Sequence, residues 1–204
     1  MKKTENPNKK LELVIKDSDL PSLSKDFAEV AVDGILDDGV LRDLPLVGAV
    51  IGVIKFGNSI NKYLSAKKIY KFLFELHKIP QEDRIKKIDE INNSKKYQSS
   101  VGEMIFELLD RIESDGKPEI IGKMFAAVIE EKIDFTDYLR CAHIVKNFFY
   151  YDLVTLKNGH EKGEIYTSFG DGFFDSGLVI IGTMGKNETR LSELGKIIIE
   201  IGMK

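Results

Sequence analysis

The side chains that could ligate a metal or attack a carbonyl are few: His77, His143, His160 and Cys141 in a chain of 204 residues. The histidines lie far apart, with no Cys or carboxylate at ligand spacing, and Cys141 and His143 would leave a helix on different faces. That spacing predicts neither a metal site nor a bound cofactor. The Gly-x-Gly of FGDGFFDSG follows no strand and precedes no Lys-Ser/Thr, so it reads as loop rather than phosphate cradle. Glu130-Glu131 and Asp37-Asp38 are adjacent pairs, which diverge on a helix and form no acid/base couple. No Ser/His/Asp arrangement emerges. The expectation is a protein that is not an enzyme.

A different kind of chemistry sits in the stretch LPLVGAVIGVIKFGNSI. Eleven uncharged residues, Leu44 to Ile54, end at Lys55 in a chain that is 31 % charged. A membrane-spanning helix needs about 20 apolar residues, and Asn58, Ser59 and Asn61 make the far end too polar for a confident span. Gly48 and Gly52 stand four apart, a spacing that lets two helix backbones approach closely. Each internal glycine also costs a helix about 1 kcal/mol relative to Ala, which only a tight contact repays. Leu44, Gly48, Val50, Ile51, Gly52, Ile54 and Phe56 are therefore candidates for helix packing, either inside the fold or against lipid. No acid occurs between Asp43 and Glu75, whereas Lys55, Lys62, Lys67, Lys68 and Lys71 do. Such a basic border suits an anionic leaflet, at about 1 kcal/mol per lysine near the surface. The other reading is a solvated helix face whose lysines pair with acids elsewhere in the chain.

These candidates must be positioned by elements, and the chain supplies mostly helices. Its 43 % hydrophobic content and 12 Phe can build a core, and a formal charge of -3 marks no general nucleic-acid binder. One cysteine excludes an internal disulfide and fits a reducing compartment. The short apolar run near Leu11–Ile15 is not a signal peptide. Helical spacing runs over 24–42, over 45–64 behind Pro45, and along SAKKIYKFLFELHKI with Ile69, Phe72, Leu73 and Leu76 on one face. Pro80 opens a helix that ends at NNS, VGEMIFELLDRI forms the next, and Pro118 opens another. Asp134 caps the one after that. NGHEKG after Lys157 reads as a turn-rich loop, and GLVIIGT (177–183) as an apolar strand followed by a turn. FFYY at 148–151 reads as core at a junction. Strand content is expected only over about 175–192.

The order of glycine turn, apolar strand, tight turn, short strand and LSELGK helix resembles the end of a winged-helix domain, over roughly 135–204. That resemblance implies a wing hairpin whose Lys186 and Arg190 are the residues for nucleic-acid contact. Charge argues against DNA, because 134–204 holds eight Lys/Arg against ten Asp/Glu and phosphate neutralisation needs clustered cations. The helical part (the DGVLRDLP turn, the glycine segment, KFLFEL, then GKMFAAVIEEKID) resembles small bacterial helical proteins. By analogy these are similar to membrane-acting effectors of toxin or phage-defence systems.

The sequence thus predicts a mainly α chain. A mobile segment (1–23) precedes a multi-helix body (24–133) holding the apolar helix 44–64, and a winged-helix-like α+β module (134–204) with a short β-hairpin follows. The function expected is a non-enzymatic bacterial effector or interaction protein, membrane-active through 44–64. The alternative is a DNA-binding regulator with a helical dimerisation body. The partners implied are an anionic membrane, a protein partner or a second copy, with nucleic acid less favoured. The location implied is the cytoplasm, at the inner membrane face when membrane-bound.

Overall fold

The computed structural model describes residues 7–22, 59–163, 172–181 and 189–204. The expected helix 24–42, most of the apolar stretch with Leu44, Gly48, Val50, Ile51, Gly52, Ile54, Lys55 and Phe56, and the wing residue Lys186 lie outside those residues. The described chain is mainly helical with a short two-stranded antiparallel hairpin near the C-terminus.

The helices are α1 (Pro7–Ile15), α2 (Ser59–Phe74), α3 (Gln81–Asn93), α4 (Val101–Asp110), α5 (Lys117–Ile129), α6 (Phe135–Asn147) and α7 (Tyr150–Lys162). After the one-turn α8 (Gly172–Asp175) come β1 (Val179–Ile181), β2 (Thr189–Leu191) and α9 (Glu193–Lys196), which runs on as π-helix over Ile197–Gly202. Among the described residues strands occur only in β1 and β2, within the window the sequence indicated.

The core is organised around α5. Its sequence KPEIIGKMFAAVI is apolar on almost every side, which a helix tolerates only when surrounded. Ile121, Met124 and Phe125 are fully buried, with α2, α3, α6 and the C-terminal π-helix packed around them. The crossing with α2 is close because position 122 is glycine: a Cβ there would lie 2.8 Å from the Phe72 carbonyl oxygen and 2.9 Å from Glu75 Cβ. Phe72, Phe125, Phe135 and Tyr138 stack or tilt against one another in sequence, Phe72 to Phe125 at 5.8 Å and Phe125 to Tyr138 at 5.4 Å between ring centres.

Three local expectations change. Residues 7–22, placed by sequence in the mobile segment, carry α1 and a 3₁₀ turn, with Leu11, Ile15 and Leu20 fully buried. The reason is Arg84 of α3. Buried completely, it donates to the carbonyls of Ile15 at 2.6 Å and Asp17 at 3.0 Å, filling acceptors that the end of α1 leaves open. Second, no boundary falls near Leu64, because α2 runs unbroken from Ser59 into KFLF. Third, NGHEKG is not a loop: α7 continues through it, burying Gly159, and stops at Gly163, whose φ of +67° closes the helix in left-handed conformation. A single apolar cluster links Leu11, Phe72, Phe125, Leu153 and Ile199, so residues on both sides of position 134 share one core.

Candidate interaction surfaces

Three of the five basic-border lysines are described, and the body itself engages them. Lys67 Nζ lies 2.6 Å from an Asp115 carboxylate oxygen. Lys71 donates to the Asp115 carbonyl at 2.8 Å, and Lys68 reaches the Asp110 carbonyl at 3.5 Å. Spacing of three and four residues aligns Lys67, Lys68 and Lys71 along one side of α2, where the α4–α5 connection supplies acceptors. The hydrogen bond from Lys67 is the main reason that the Asp115 carboxyl is held below its usual pKa. Lys62 falls in the first turn of α2, and its side chain is outside the described residues. No local spacing marks Asp115 as a partner, since 48 residues separate it from Lys67.

The aromatic run is split rather than wholly core. Phe148 stacks on Phe173 at 5.3 Å, and Tyr150 lies over Gly116, where a Cβ would be 2.3 Å from its ring. Phe149 and Tyr151 are 64 % and 66 % exposed. The corner between α6 and α7 turns two rings inward and two outward.

The hairpin has an equally clear division. Val179 pairs with Leu191, Ile180 with Arg190 and Ile181 with Thr189. Val179, Leu191 and Thr189 are buried, whereas Ile180 is 41 % and Ile181 56 % exposed. Arg190 is exposed opposite Ile180, and its side chain makes no hydrogen bond among the described residues. Beneath it, Ser192 N donates to the Leu178 carbonyl at 2.9 Å, and the Ser192 hydroxyl donates to Gly177 O and accepts from Gly195 N. Gly195 sits so close that an added Cβ would be 2.1 Å from the Leu178 oxygen. Arg190 is thus a single described cation beside Ile180 on the outward face, Ile181 lying on the side of Val179 and Thr189, a poor match to a phosphate backbone.

A cleft of about 390 Å³ lies between α3 and the α5–α6 turn, lined by Glu90, Tyr97, Glu131, Asp134 and Phe135 among others. Lys87 closes its charge by reaching Glu90 at 2.9 Å and Glu131 at 3.0 Å. Burial opposes the lysine's charge, but those hydrogen bonds outweigh it and raise the Lys87 pKa, while the Glu131 carboxyl is lowered in return. Glu131 closes α5 with φ of 59°, a position that glycine usually takes. Its neighbour Glu130 pairs instead with Lys132 at 2.6 Å, so the adjacent acids do diverge.

The histidines are dispersed: His77 Nδ1 contacts the Phe74 carbonyl, His143 contacts Asn147, and His160 lies 3.2 Å from Glu200. Cys141 is buried with Sγ 3.6 Å from the Leu194 carbonyl, and burial pushes its pKa up to about 12, leaving little thiolate at neutral pH. Among the described residues no group of three or more His, Cys, Asp or Glu is placed to hold a metal ion, and no helix is long and apolar enough to cross a membrane. No protein family, curated protein or solved structure matches this chain.

Proposed function

We propose that this chain is a non-enzymatic bacterial effector or interaction protein that works by contact, presenting the apolar glycine-rich residues 44–58 to a lipid surface from a rigid helical body. The observation that carries this reading is α2, which leaves the apolar stretch directly at Ser59 and is locked into the core by Ile69, Phe72 and Leu73, each at most 2 % exposed. A segment so anchored transmits any contact it makes to the whole body. The engagement of Lys67, Lys68 and Lys71 by the α4–α5 connection shifts the expected driving force. Apolar burial, at about 25 cal/mol per Å², takes the larger part, and charge attraction through Lys55 and Lys62 the smaller.

Co-sedimentation with vesicles of neutral and of anionic lipid tests this. Binding should persist at about 0.5 M salt, where screening removes most surface attraction. Ile51→Asp should reduce bound protein about tenfold or more, since one buried isoleucine is worth about 1.5–3 kcal/mol. Changing Lys67, Lys68 and Lys71 together to Gln should leave vesicle binding nearly intact. A protein that stays in the supernatant with both lipids overturns the reading.

A further inference from the structure

We propose that the corner between α6 and α7 is a second lipid contact, Phe149 and Tyr151 entering the headgroup boundary of a bilayer as interfacial anchors. The inference rests on the lipid reading above and adds a contact point to it. Phe149 and Tyr151 are 64 % and 66 % exposed, with 5.5 Å between ring centres, so they form one patch. Their neighbours hold it in place: Phe148 stacks on Phe173, and Tyr150 lies over Gly116. Local stability does not account for the pair. Phe149 occupies the N-cap of α7 and offers no side-chain hydrogen bond there, whereas Ser100 caps α4 and Ser192 caps α9. Ser, Thr, Asp and Asn are the residues preferred at that position, and a ring left mostly in water gains little from burial.

Position names the occupant. Helices α2 and α5 pass each other with Phe72 at Gly122 and Lys67 at Asp115, so both begin at the same end of the body. Tyr150 packs on Gly116, and Lys117 donates to the Lys146 carbonyl at 3.0 Å, which fixes the α6–α7 corner at that end too. Ser59 lies eight residues before Lys67, about 12 Å further along α2 in the same direction. The apolar stretch that ends at Ser59 and the aromatic corner can therefore meet one surface. Their chemistry agrees, since an apolar ring carrying a polar hydroxyl suits the depth where hydrocarbon gives way to headgroups. Two side chains cover far less than the roughly 800 Å² per partner of a standard protein interface, which argues against a second copy. On a bilayer a small anchor suffices, because it adds to a contact already made.

The chain has no tryptophan, so Phe149→Trp supplies a single reporter at the corner. Its emission should shift to the blue when vesicles of neutral lipid are added to the full chain, and lipid brominated near the headgroup end of its acyl chains should quench it. In co-sedimentation, Phe149→Ser with Tyr151→Gln should weaken vesicle binding about tenfold. Far-UV circular dichroism should be unchanged in that variant, and its urea midpoint no lower than wild type, because serine is the better cap. An emission that stays put while the protein sediments with vesicles overturns the proposal and leaves the lipid reading standing. So does a double variant that binds as well as wild type. A blue shift that follows protein concentration without lipid makes the occupant a second copy and overturns it as well. If Ile51→Asp leaves binding intact while the reporter still shifts with vesicles, the corner stands and the role given to residues 44–58 falls.

Discussion

Asp115 answers the basic border of α2 at the level of one residue, an acid from elsewhere in the chain of the kind the second reading of that border calls for. Its carboxylate takes Lys67 and its backbone oxygen takes Lys71. Because the hydrogen bond from Lys67 lowers the folded-state pKa below the usual 3.8, the sign of the linkage is fixed. The pair stabilises the fold at pH values above 3.8, and the contribution is lost as pH falls through the depressed folded value. With side-chain exposures of 37 % for Lys67 and 58 % for Asp115, solvent screening limits the effect. Asp115→Asn should therefore cost no more than about 1 kcal/mol at pH 7. Urea unfolding at a series of pH values should show wild type and variant converging below pH 3.8. A difference that grows on acidification would contradict the pairing. The same lysines show why a charge pattern read along one helix misleads. The acid that answers Lys67 is a tertiary neighbour brought over by the α4–α5 turn, and no local spacing announces it.

Glycines decide how closely the elements approach. At the α2–α5 crossing Gly122 faces the Phe72 carbonyl, and at the base of the hairpin Gly195 faces the Leu178 carbonyl, with a Cβ distance of 2.1 Å in the second case. Backbone atoms cannot swing aside as a side-chain tip can. Gly122→Ala should cost about 1–3 kcal/mol by overpacking, seen as a lower urea midpoint with an unchanged m-value. Gly195→Ala should loosen β1, β2 and the C-terminal helix, read as faster amide exchange confined to those elements. Should either variant match wild type, the corresponding approach is not as close as described.

Helix order among the described residues, the strand window and the buried face of α2 were legible because apolar period and proline punctuation are local signals. The signal for Gly122 was also there, an isolated glycine within an apolar helical run, which ordinarily has a packing reason. The closure of α7 at Gly163 rather than at NGH was hidden because Gly159, a helix breaker by propensity, is buried inside the helix. The exposure of Ile180 was hidden for the opposite reason: VII reads as fully buried strand, and only the pairing with Arg190 shows which side faces water.

At the scale of the molecule, one cluster of side chains joins α1 to the π-helical C-terminus. Two of its attachments have a bearing on the apolar segment. Arg84 fastens the end of α1 through Ile15 and Asp17, and α1 lies on α4; α2 lies on α4 as well as on α5. The described body ends at Ser22 and resumes at Ser59, so both ends of residues 23–58 join the same core. A helix that crossed a bilayer once would have to deliver those two points to opposite compartments, and a body folded around α4 and α5 cannot straddle the membrane. A double crossing fails on composition, since Lys25, Asp26, Glu29, Asp33, Asp37, Asp38, Arg42 and Asp43 fill the first limb and each charge at mid-bilayer costs about 2.5–3.5 kcal/mol or more. On the proposed lipid contact, this chain would therefore rest on one leaflet without passing through it. With Cys141 buried as a silent background, single cysteines introduced as Ser18→Cys and Leu64→Cys should both react, on vesicle-bound protein added from outside, with a membrane-impermeant maleimide. Protection of one label and not the other would mean that the chain had passed through. Under the proposed function, the same constraint would restrict the protein to the leaflet that faces its body.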